Sequence, residues 1–116
     1  MNPRALFIIA SDPRSSPRPA EAIRIAAGVG AWKKICVAIY LREAAVLALG
    51  ELVDDLADED NFTRYLPLIA EFDGDIYVQR GARWLADLGD SPFQFQEITD
   101  SELAELTAKS NYVIRF

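Results

Sequence analysis

The first continuous apolar run, Ala5 to Ala10 (ALFIIA), has the length of a strand and gives way at once to the polar, proline-rich stretch Ser11 to Pro19. An apolar run without polar alternation predicts a strand buried on both faces, and the stretch after it predicts a loop. Pro17 and Pro19 suit the first turn of a helix, where a missing N–H costs nothing. The Ala-rich segment Ala20 to Gly30 then sets Ile23, Ala26, Ala27 and Gly30 on one helical face. Ile35 to Leu41 (ICVAIYL) is again uniformly apolar and rich in β-branched residues, so strand, helix and strand compose a βαβ unit with a parallel sheet.

From Arg42 to Leu56 the residues Val46, Leu49, Val53 and Leu56 keep a helical stripe interrupted by Gly50, and the acidic run Asp54 to Asp60 predicts a solvated helix end and turn. Phe62, Tyr65, Leu66 and Ile69 resume helical spacing. Pro67 inside that spacing predicts a break or kink near Leu66, because a helix-interior proline costs about 3 kcal/mol. After Asp73-Gly74, Asp75 to Gln79 (DIYVQ) forms a short third strand. Arg80 to Leu88 is expected to be a helix stopped by Gly89, and Phe93 to Ile98 alternates like an edge strand. Thr99-Asp100-Ser101-Glu102 matches a capping box ahead of a last helix, and Asn111 to Phe116 (NYVIRF) ends the pattern as a strand. About five strands alternating with helices specify an α/β fold, a three-layer α/β/α sandwich around a mainly parallel sheet, over residues 1–116 as one domain.

Composition narrows the chemistry. The 116 residues are 51% hydrophobic and 26% charged, enough for one core without staples. A net charge of −6 opposes attraction to phosphate backbones and anionic membrane surfaces, so neither nucleic acid nor membrane is an expected partner. With no apolar stretch of spanning length and no signal-like amino terminus, a cytoplasmic location is expected. Histidine is absent, which removes the Ser-His-acid and Cys-His nucleophile designs and most zinc sites, and no cofactor is implied.

In open parallel sheets ligands gather at the carboxyl ends of the strands, which directs attention to the loops Ser11 to Arg18, Arg42 to Ala45 and Gln79 to Ala82. The first carries Ser11, Asp12, Arg14, Ser15, Ser16 and Arg18, a set able to hold a small anion. Alternatively, Ser16 caps the helix and the arginines face water. At the third, Gly81 permits close backbone approach and Arg80 and Arg83 bring positive charge for an anion or a partner's acidic loop. A solvated helix start accounts for the same residues. Cys36 is the one thiol. Second in an apolar run and roughly 17 Å of extended chain from the carboxyl end of its strand, it is expected to be a core residue at the wrong end of the sheet for that site.

The segment ITDSELAELTAKSNYVIRF resembles the carboxyl terminus of the DsrF/TusC branch of the DsrE-like (DsrEFH) family. The opening strand and small-residue helix, ICVAIYL, residues Asn61 to Phe72 and DIYVQRGARWLADLG follow the same order, so the likeness covers nearly the whole chain. It implies a small parallel α/β domain that assembles with itself or with related DsrE/DsrH-like subunits in sets that pass a persulfide between proteins. The sulfur-carrying cysteine of the active members would stand at Gln79, and an amide cannot hold a persulfide. The Asp-Gly pair common after the second strand is replaced by Arg42-Glu43. The expected role is a non-catalytic subunit of an oligomer linked to sulfur relay. The rivals are a sulfurtransferase acting through Cys36 and a small-anion or nucleotide-binding module at the strand ends.

Overall fold

A computed structural model describes residues 2–72 and 74–116, so Asp73, half of the expected Asp73-Gly74 break, lies outside the described residues. Five strands, β1 (Arg4–Ile9), β2 (Cys36–Leu41), β3 (Asp75–Gln79), β4 (Gln96–Ile98) and β5 (Tyr112–Arg115), form one sheet in the order β4-β3-β2-β1-β5. Every neighbouring pair is parallel, as the unbroken apolar runs of β1 and β2 require.

Alternate residues of each strand feed two cores. Ala5, Phe7 and Ile9 of β1, with Val37, Ile39 and Leu41 of β2, meet α1 (Arg18–Ala31) and α2 (Glu59–Glu71). On the opposite face Leu6, Ile8, Ala38 and Tyr40 meet Leu106 and the half-buried Leu103 of α3 (Asp100–Lys109). The layers are therefore three, as expected. The second face is covered by α3, which carries the chain from β4 at one edge to β5 at the other.

The α1 stripe stands as read: Ile23, Ala26, Ala27 and Gly30 are all buried. So does the capping box, in which the Glu102 N–H donates to Thr99 Oγ1 at 3.2 Å and the Thr99 N–H to Glu102 Oε1 at 3.0 Å.

The structure corrects expectations of four kinds. First, the helix expected over Arg42 to Leu56 is a 3-10 helix over Glu43–Leu49 followed by turns. Ala44, Ala45, Val46, Ala48 and Leu49 are all buried there, so the segment is enclosed and has no single wet face to set a 3.6-residue period. Likewise the helix expected over Arg80 to Leu88 is a 3-10 helix over Arg83–Asp87. Second, α2 runs unbroken through Pro67. The proline ring is on the exposed side, while Phe62, Leu66 and Ile69 anchor the helix on the core on either side of it. Third, the edge strand expected over Phe93 to Ile98 is confined to Gln96–Ile98, because Phe93 and Phe95 leave the ladder to pack on the larger core. Fourth, Cys36 is exposed and not sealed in the core. The apolar run begins before the ladder does: Cys36 is the first residue of β2, paired with Arg4 at the amino rim of the sheet.

Candidate functional site

The path leaving β3 returns to the α1–α2 face, since Trp84, Leu85 and Leu88 pack on that core, whereas the path leaving β4 enters α3 on the other face. Neighbouring parallel strands whose exits diverge leave a crevice between those exits, here between Gln79 at the end of β3 and Thr99 just past β4. Gln79, half-buried, ends β3 and is paired with Ile98.

Its carboxamide is engaged. The Glu43 N–H donates to Gln79 Oε1 at 2.9 Å, and Gln79 Nε2 faces Glu43 Oε1 at 3.5 Å. Glu43 holds φ at +53°, the left-handed region that favours glycine. A non-glycine residue therefore holds a strained bend where β2 leaves the sheet. The bend turns the Glu43 N–H back toward β3, and Gln79 ties the β2 exit to the β3 end.

Arg42 leaves β2 beside this tie. Its Nη1 donates to Asp100 Oδ1 at 3.0 Å and to the Tyr40 hydroxyl at 3.3 Å. Tyr40 is fully buried, and that burial raises its phenol above the ordinary range. Asp100 opens α3, where a carboxylate suits the positive end of the helix dipole, so Arg42 links β2 to the helix on the far face. Arg80 completes the crevice. Its N–H donates to the Ile98 carbonyl at 3.0 Å, and its Nη2 lies 3.4 Å from the Glu97 carbonyl and 4.0 Å from Glu102 Oε1. The Thr99 backbone N–H holds the Glu102 carboxyl below the usual range. Gly81 has φ +76° with open space where a side chain would stand, so the turn, and not a close approach, requires glycine.

The Ser11 to Arg18 loop is braced internally. Asp12 accepts from the Arg14 N–H, Nε and Nη2 at 2.9, 3.0 and 2.8 Å, and the Arg14 side chain holds the Asp12 carboxyl below its ordinary value. Ser16 Oγ accepts the Arg18 N–H at 3.2 Å, so this serine supports the start of α1 while Ser15 is exposed. The Arg18 guanidinium lies 5.8 Å from the Phe116 ring and that of Arg83 4.8 Å from Trp84. Arg14, Arg42, Arg80, Arg18 and Arg83 thus each have a partner within the chain. Arg42, Gln79 and Arg80 share the crevice with the α3 cap, whereas Arg14 is committed to Asp12 in its own loop.

Sequence reasoning missed Tyr40, Glu43, Asp100 and Glu102 as partners. The capping box marked where α3 begins, but nothing local links it to Arg42.

At the opposite end of the sheet lies a cleft of about 500 Å³. Ala26, Gly30, Val37, Ile69 and Phe72 line its apolar part and Lys33, Cys36 and Glu71 its polar part. The thiol and the Gln79 crevice therefore occupy opposite ends of the strands.

The arrangement defines an all-parallel α/β/α domain of the DsrE-like fold class, with a strand-end crevice occupied by paired side chains. Among solved structures, it is similar to the ychN protein from E. coli, with a TM-score of 0.79 at 17% sequence identity, the match covering 100% of each chain. No family model and no curated protein sequence matches the chain. Among the described residues, no helix is long and apolar enough to cross a membrane.

Proposed function

We propose that this chain is a non-catalytic, TusC/DsrF-like subunit that contributes contact surface to an oligomer linked to intracellular sulfur relay. One observation carries the reading. At the carboxyl end of β3, where the resemblance calls for a sulfur-carrying thiol, Gln79 offers a carboxamide whose oxygen is bound to the Glu43 N–H. A carboxamide has no ionisable sulfur and accepts no persulfide, so the position serves the fold. The partners are further copies of this chain or related DsrE/DsrH-like subunits.

The test is solution mass, alone and mixed with DsrE/DsrH-like candidates, joined to persulfide labelling after incubation with a sulfur donor. Assembly without labelling supports the proposal. A protein that stays monomeric and recruits none of the candidates would refute it.

A second reading has an observation in its favour: Cys36 is open to solvent and lines the cleft at the amino ends of the strands. On that reading the chain transfers sulfur through Cys36, away from the usual site. Persulfide labelling that disappears in Cys36→Ser supports it, and labelling that is absent or unchanged ends it. The remaining alternative, a small-anion or nucleotide module, is disfavoured by the engagement of Arg14 with Asp12 and Arg42 with Asp100.

A further inference from the structure

Two surface features outside the crevice fit each other. The first is the turn between α1 and β2. Trp32, the C-cap of α1, is 63% exposed, and Lys33 and Lys34 beside it are exposed as well. The Lys34 ammonium sits 5.5 Å from the Trp32 ring centroid, presenting indole and charge together. Lys33 holds φ at +63° just past the helix end, where glycine is the usual choice. Among the described residues neither lysine pairs with a carboxylate. In a chain of net charge −6, this is an aromatic and basic knob.

The second feature is a groove of about 360 Å³ on the face of the larger core, lined by Gly50, Val53, Phe62, Leu66, Pro67 and Phe93. Leu52, 80% exposed, lies in sequence between two lining residues, Glu51 and Val53. The rim is acidic. Glu51 lines the groove and accepts the Asp90 N–H at 3.4 Å, and the exposed Asp54 and Asp55 follow Val53 directly. The single basic residue of α2, Arg64, lies over the ring of Tyr65 at 5.9 Å.

From this complementarity we propose that a second copy of this chain docks its Trp32–Lys34 turn into the groove, with the indole against Leu66, Pro67 and Phe93 and the lysines against Asp54, Asp55 and Glu51. A tryptophan removes roughly 200 Å² from water when buried, and anchors of this kind dominate interface energies, while the charge pairs orient the approach. Knob and groove share no residue, so each copy offers both halves, and the contact either pairs reciprocally or propagates into a ring. The inference deepens the oligomer reading by naming the surfaces that would join like subunits.

Sedimentation velocity over a concentration series tests it, with Trp32→Ala, the double variant Lys33→Glu/Lys34→Glu and the double variant Asp54→Lys/Asp55→Lys. All five positions are exposed, and circular dichroism checks that each variant folds. Trp32→Ala is expected to weaken self-association at least about tenfold. Each charge-reversed variant should dissociate alone, and an equimolar mixture of the two should associate again. Self-association unchanged in all three variants overturns the proposal and leaves an oligomer built on another surface. A wild-type chain monomeric up to roughly 100 μM also overturns it, and mixed assembly with related subunits is then decided by the mass measurement above.

Discussion

Replacing Glu43 by glycine isolates the strain at the β2 exit. A left-handed backbone costs an L-residue about 1–2 kcal/mol, which glycine does not incur. Against that relief, glycine's greater freedom in the unfolded chain costs about 0.4–1 kcal/mol. The main contact survives, because the 2.9 Å hydrogen bond to Gln79 Oε1 is donated by the backbone N–H of residue 43, and only the weak 3.5 Å approach of the side chain is lost. Glu43→Gly should therefore stabilise the protein by about 0.5–1 kcal/mol, a rise of a few degrees in midpoint temperature. Glu43→Val, β-branched at the same φ, should destabilise by about 1 kcal/mol or more. Urea unfolding of the three proteins measures both, provided the slope against denaturant is unchanged. A Glu43→Gly variant less stable than the parent, or a Glu43→Val variant more stable, would show that this bend is not strained.

Further outcomes follow from other contacts. Thr99→Ala removes the acceptor for the Glu102 N–H and should cost about 1 kcal/mol in urea unfolding; no measurable change would remove the capping box from the account of α3. On the acid side, Asp12 and Glu102 have folded-state pKa values below their unfolded ones, Asp12 through Arg14 and Glu102 through Thr99. Their contribution is complete above the unfolded values, near pH 4, and is lost as pH falls through the folded ones, so Asp12→Asn should flatten the decline of stability below about pH 4. An identical decline in the variant would contradict this. Cys36 should react with a chromogenic disulfide in the folded protein, one thiol per chain; reaction only after unfolding would restore it to the interior.

The sequence discloses what is repeated along the chain and conceals what is paired across it. β1 and β2 are legible because both faces of each strand are covered, so burial leaves no polar residue to break the run. α1 and the α3 cap are legible because their determinants lie within a few residues of each other. The same local evidence misjudges Cys36: an apolar run gives the composition of a strand without saying where the covering layer stops, and one residue at the rim changes a core thiol into an exposed one. It misjudges Pro67 for a related reason, since the interior cost of proline is real but is offset by anchors from Phe62 to Ile69 that packing supplies.

The crevice depends on partners 36 residues apart, Glu43 with Gln79, and 58 apart, Arg42 with Asp100. No periodicity reports such contacts. Glu43 makes a left-handed turn, Gln79 accepts its N–H, and Arg42 ties the same exit to α3. Arg42, Glu43 and Gln79 thus join β2, β3 and α3 at the carboxyl ends of the strands. A crevice fastened in this way has its polar groups facing one another, which is why the proposed role falls on the outer surfaces of the domain.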